Sequence, residues 1–150
     1  MPRALRFAPF ALALALCAPR PARAQAPDWR PPSKQMPAMP RASDLRGNWL
    51  APLGAWFRGI DGISGVPNSS LRAGGETRSG SDVMQVVRFT NGPLPVVVWS
   101  DRNGDGRADM IDIYRRGGVI IQVIDPDYNG SADVMRIYNA DGSLLRQDNL

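Results

Sequence analysis

Residues 101–114 read DRNGDGRADMIDIY and residues 125–138 read DPDYNGSADVMRIY, one pattern repeated 24 positions apart. Each copy ends in a run where apolar residues alternate with polar ones, a period of two that marks a half-buried β-strand. A third run aligns without gaps: residues 82–87 match residues 109–114 and 133–138. Met84 and Val86, Ile111 and Ile113, and Met135 and Ile137 fall on one face, with Gln85, Asp112 and Arg136 opposite. After each run stands a turn dipeptide, Asn91-Gly92, Gly117-Gly118 or Asp141-Gly142, able to supply the positive φ of a tight hairpin. A second apolar stretch follows each turn: residues 96–99, residues 119–124 and the short Leu144-Leu145. The pattern predicts a mainly β fold over residues 80–150, an antiparallel meander of about three repeated hairpins with Asp/Asn-Gly loops between them. The second strands are apolar on both faces, so something must cover part of the second face. The last strand, cut short by Arg146, is expected to be a frayed edge.

Upstream the chain divides into three more zones. Residues 1–24 have a basic start, Arg3 and Arg6, and an apolar run of about a dozen residues, as in a secretory signal peptide. Ala22-Arg23-Ala24 offers small residues for cleavage after Ala24. A membrane anchor would need roughly 20 apolar residues, so no stable membrane insertion is expected after cleavage. Cys17 lies in this segment behind Leu16, which is too large for a lipoprotein signal. Residues 25–43 hold Pro27, Pro31, Pro32, Pro37 and Pro40 and read as an extended, disordered linker with little to bury. Residues 44–79 carry Trp49, Trp56 and Phe57 among glycines and keep neither helical nor strand periodicity. One or two short strands with long loops are expected there, packed on the sheet and available to cover its second face.

Composition excludes several function classes. Four of the 18 basic residues (Arg3, Arg6, Arg20, Arg23) lie in the signal segment, leaving 14 against 14 acidic ones. The basic balance that would suggest nucleic acid therefore vanishes with cleavage. Past residue 24 there is neither Cys nor His, hence no disulfide, thiolate nucleophile, imidazole base or N/S zinc site. Lys34 is the sole lysine. No catalytic residues are assigned, and the expectation is a protein that is not an enzyme.

The acids are 13 Asp and one Glu, Glu76, a bias toward turns and oxygen-ligand loops rather than helical surfaces. They concentrate in residues 101–109 and 125–133, both D-x-[DN]-x-[DN]-G-x-A-D. Asp101, Asn103 and Asp105 in the first loop, and Asp125, Asp127 and Asn129 in the second, can converge from positions 1, 3 and 5. Gly106 or Gly130 permits the sharp turn at position 6. The carbonyl of Arg107 or Ser131 adds a ligand, and Asp109 or Asp133 closes the shell. Such a set suits calcium, which takes six to eight oxygens. Two calcium sites are expected. The stretch before Asp82 is an internal control, since it has Gly74, Glu76 and Arg78 at positions 1, 3 and 5 and yet precedes a strand.

The first nine positions resemble the loops of EF-hands and dockerins. The strand-loop-strand setting is similar to the D-x-D-x-D-G-x-x-D loops of integrin-type FG-GAP repeats. Position 12 separates the two, because an EF-hand requires a bidentate Glu there on a helix, where this chain has Asp112 and Arg136. Asp112 is instead expected on the solvent face of a strand. The functional expectation is an exported, periplasmic or extracellular module in which structural calcium rigidifies the hairpins. Its partner would be an unidentified protein or glycan. The alternatives are a metal-free surface or periplasmic scaffold and, more remotely, a calcium-dependent hydrolase or enzyme accessory.

Overall fold

A computed structural model describes residues 26–150; the signal-peptide reading lies outside them. The fold is mainly β, a seven-stranded antiparallel meander with strands in sequence order. The strands are β1 (Arg72–Thr77), β2 (Met84–Asn91), β3 (Leu94–Ser100), β4 (Met110–Arg115), β5 (Gly118–Ile124), β6 (Val134–Tyr138) and β7 (Leu144–Asn149). The three expected hairpins are β2–β3, β4–β5 and β6–β7, and β1 adds a strand at the front. The repeated Asp loops join β3 to β4 and β5 to β6. The repeat extends to backbone irregularities. In each hairpin the second strand carries one unpaired bulge residue at the same place: Val96, Ile120 and Leu145.

Register puts Val87, Phe89, Val97, Trp99, Ile111, Ile113, Ile121, Val123, Met135 and Ile137 on one face, and all are buried. Val86 departs from the expected pattern. A bulge where β1 meets β2 skips Gln85, so Val86 turns to the opposite face and Val87 takes its place in the core. A gapless alignment carries no sign of such a skip.

Residues 44–79 are more helical than their pattern suggested. Short helices α1 (Leu50–Phe57) and α2 (Ile60–Ser64) precede β1. Pro52 sits in the first turn of α1, where a missing N–H costs nothing. Gly59 (φ 81) and Gly65 (φ 76) bracket α2. Helices of eight and five residues are too short to display a 3.6 period. They cover the face that was already apolar, not the second one. Phe57 meets Phe89 with ring centroids 4.7 Å apart, Trp49 meets Phe89 at 4.7 Å, and Trp56 meets Trp99 at 6.2 Å. The second face stays half-buried, with Val98, Gln122, Ile124 and Arg136 on it.

Residues 26–43 also depart from expectation. They are extended, as their prolines dictate, yet they bury Trp29, Met36 and Met39. Gln35, Ala38 and Arg41 bridge to Ser131, Arg107 and Val83 in antiparallel fashion. The strap advances three residues for each 24-residue repeat, in reverse order. Met36 and Met39 donate their N–H groups to the carbonyls of Gly130 and Gly106 at 2.9 and 2.8 Å. The carbonyls of Lys34 and Pro37 accept from Ala132 and Ala108. Pro37 and Pro40 occupy acceptor-only places, so their missing N–H groups leave the pairing intact.

Candidate metal centre

The two Asp loops share a backbone frame set by the sheet and the strap. Arg107 and Ser131, at position 7, face the strap as non-hydrogen-bonded pairs, with bonds on either side from positions 6 and 8. In such pairs the residue's own N–H and C=O point away from the partner. The position-7 carbonyls are thereby aimed at the loop side, as a carbonyl ligand would need. Gly106 (φ 85) and Gly130 (φ 84) adopt the left-handed conformation expected at position 6.

The side chains then diverge. In the first loop every acidic position is engaged by backbone N–H groups. Asp101 accepts from Gly104 and from Gly106 (2.9 Å), and Asp105 accepts from Arg107 (2.8 Å). Asn103 accepts from the Asp105 N–H at 3.0 Å. Asp109 is turned into the loop, where one carboxylate oxygen accepts from Arg102 and from Asn103 (3.1 Å). Arg78, from the ligand-poor stretch before β2, lays its guanidinium over Gly104 and donates to that carbonyl.

The second loop keeps the anchoring half of this network. Asp125, 1% exposed, accepts from Gly130 at 2.7 Å and from Asn129 at 3.3 Å. Asn129 accepts from Ser131 at 2.8 Å and donates its amide to Asp127 at 3.0 Å. Asp133 differs from its counterpart Asp109. Position 2 is Pro126, which has no N–H to offer, and the Asp133 carboxylate accepts no hydrogen bond among the described residues. It gathers instead with Asp125 and Asp127, one oxygen from each lying within 4.8 Å of the others. Among the described residues this is the one trio of His, Cys, Asp or Glu side chains so placed.

Burial raises the carboxyl pKa of Asp125 above its ordinary value. Asp127, through a hydrogen bond and its charge, pushes the same way, while the Gly130 and Asn129 N–H groups oppose both. A cation among the three would relieve the crowding. The three side chains offer carboxylate oxygens, so the cluster could hold a metal ion, and oxygen ligands suit a hard one. No family model, curated protein or solved structure matches the chain. The cluster therefore stands on its own geometry.

Of the expected ligand residues, Asp125, Asp127 and Asp133 converge, with Asn129 bonded to Asp127. Asp101, Asp105 and Asp109 form no such carboxylate trio, although Asn103 donates its amide to Asp105 at 3.1 Å. Asp112 occupies the expected face, but at 7% exposure it is buried, bound by Gln122 at 2.8 Å. Burial raises its pKa, partly offset by Gln122 and Arg102. Two features went unread in the sequence. One is Pro126 as a missing donor. The other is the Met-Pro period of three at residues 36–40, which marks the strap that holds position 6 of each loop.

Proposed function

We propose that this protein is an exported, non-enzymatic β-repeat module whose hairpins are rigidified by structural calcium and which presents a surface to a protein or glycan partner. The observation that carries the reading is the convergence of Asp125, Asp127 and Asp133 on a loop with a spare position-7 carbonyl. Calcium tolerates irregular coordination and completes its shell with water, which suits a trio partly open to solvent. The second loop is the stronger site. The first fills only when Asp109 releases Arg102 and Asn103, and it binds more weakly for that reason. Affinity on the order of 0.1–1 mM, as in extracellular calcium modules, is sufficient for such a role. Export rests on the pattern of residues 1–24. Among the described residues no helix is long and apolar enough to cross a membrane.

Thermal unfolding with calcium, with magnesium and with chelator tests this reading. At 10 mM calcium, a site of that affinity adds about 1.4–2.7 kcal/mol to folding stability. Indifference to calcium and chelator would overturn it. A metal-free scaffold is the second reading. The first loop favours it, because its network closes without any ion.

A further inference from the structure

At the hairpin tips, at the opposite end of the strands from both Asp loops, a cleft of about 480 Å³ opens between the β4–β5 and β6–β7 hairpins. That volume lies within the range of small-molecule sites, roughly 300–1,000 Å³. Pro27, Val119, Ile120 and Leu145 supply its apolar lining, and Arg115 and Arg116 supply its charge. Ile120 and Leu145 are the bulge residues of the two hairpins. A bulge re-aims side chains out of strict alternation, and here both reach the same concavity. Leu145 remains 43% exposed, an apolar side chain without a cover.

The charged residues that line the cleft are both basic, while the carboxylate of Asp141, between lining Ala140 and Gly142, is held by Ser143. No Asp or Glu lines the cleft. Arg30, Arg41, Arg88 and Arg146 each form an ion pair. Arg115 and Arg116, like Arg46, Arg58 and Arg72, form none and make no side-chain hydrogen bond among the described residues, but only these two are adjacent and line a cleft of this size. Arg116 also occupies a left-handed turn position (φ 53), where Asn or Gly is the favoured residue. The fold thus holds two adjacent unpaired guanidiniums beside an apolar floor, in a turn that does not ask for arginine.

We propose that this cleft binds a small amphipathic carboxylate. The planar guanidinium fork matches a carboxylate in bidentate geometry, and the alkyl body lies on Ile120, Val119 and Leu145. The assignment is independent of the calcium reading, since no loop ligand lines the cleft.

The test is titration of the purified protein with decanoate, followed by backbone amide NMR shifts. Decyltrimethylammonium, with the same tail and the opposite charge, is the control. Saturable shifts at residues 118–120 and 139–145 with decanoate alone are expected. Replacing both arginines (R115Q with R116Q) should weaken binding by about tenfold or more, the worth of one charge-assisted hydrogen bond. L145E, which adds a carboxylate to an exposed position, should abolish it. Amide shifts elsewhere and the thermal midpoint report whether each variant is folded. Equal binding of the cationic amphiphile, shifts confined to other regions, or undiminished binding by the folded double-arginine variant would overturn the assignment.

Discussion

The two Asp loops have nearly the same ligand sequence, the same glycine at position 6 and the same strap contacts, yet only one gathers three carboxylates. Two sequence differences accompany this: positions 3 and 5 are Asn103 and Asp105 in one loop but Asp127 and Asn129 in the other, and position 2 is Arg102, whose N–H joins that of Asn103 on Asp109, or Pro126, which has no N–H to give Asp133. The two loops thus differ both in which positions carry the acids and in which backbone N–H groups engage them. The ligand-poor stretch before β2 extends the series, having lost its acids and supplying Arg78 to the neighbouring loop.

The harshest way to break the comparison is to remove the first acid of each loop. Asp125→Ala and Asp101→Ala each strip the acceptor from two backbone N–H groups, and a buried donor left unpaired costs about 1–3 kcal/mol. Both should lower the thermal midpoint in chelator. Calcium should then separate them, because Asp101→Ala retains the main calcium response and Asp125→Ala loses it. Equal loss in both variants would show that the loops bind as a unit.

Exchanging position 2 sharpens the comparison without touching a ligand. Pro126→Arg should restore the donor for Asp133 and weaken calcium binding by about tenfold, or about 1.4 kcal/mol. Arg102→Pro should remove one of the two N–H donors on Asp109, leaving that of Asn103, and strengthen the weaker site, raising the stoichiometry seen by calorimetric titration toward two. Unchanged affinities in both variants would remove Pro126 from the explanation.

The repeat in residues 80–150 was legible because its side chains alternate against a one-sided core, and seven strands follow from it once β1 is added. The skipped Gln85 and the displaced Val86 were not, since a bulge leaves the order of residue types untouched. The helices over Phe89 and Trp99 were hidden by their brevity. The strap was hidden by its prolines, which signal extension but not contact; Met36 at 1% exposure shows that an extended segment can be part of the core. In the candidate site the ligand types were readable and their convergence was not, because convergence depends on where backbone donors point.

The smallest expected effect is in the pH dependence, and its sign is informative. Without metal, burial holds the Asp125 carboxyl above its ordinary value, so the folded state binds a proton more readily than the unfolded chain. Its contribution to stability is therefore greatest at low pH and declines as pH rises from the ordinary carboxyl range through the raised folded value. Bound calcium requires the carboxylate and inverts this slope, so that stability rises with pH across the same region. The difference in thermal midpoint between the native protein and Asp125→Asn, followed from acid to neutral pH, should change sign of slope between chelator and calcium. Asp112, also raised by burial, provides the comparison on the opposite face. The corresponding difference for Asp112→Asn should have the same sign as apo Asp125 and ignore calcium. A calcium-dependent slope at Asp112 would mean that the metal acts through the whole sheet rather than through its own loop.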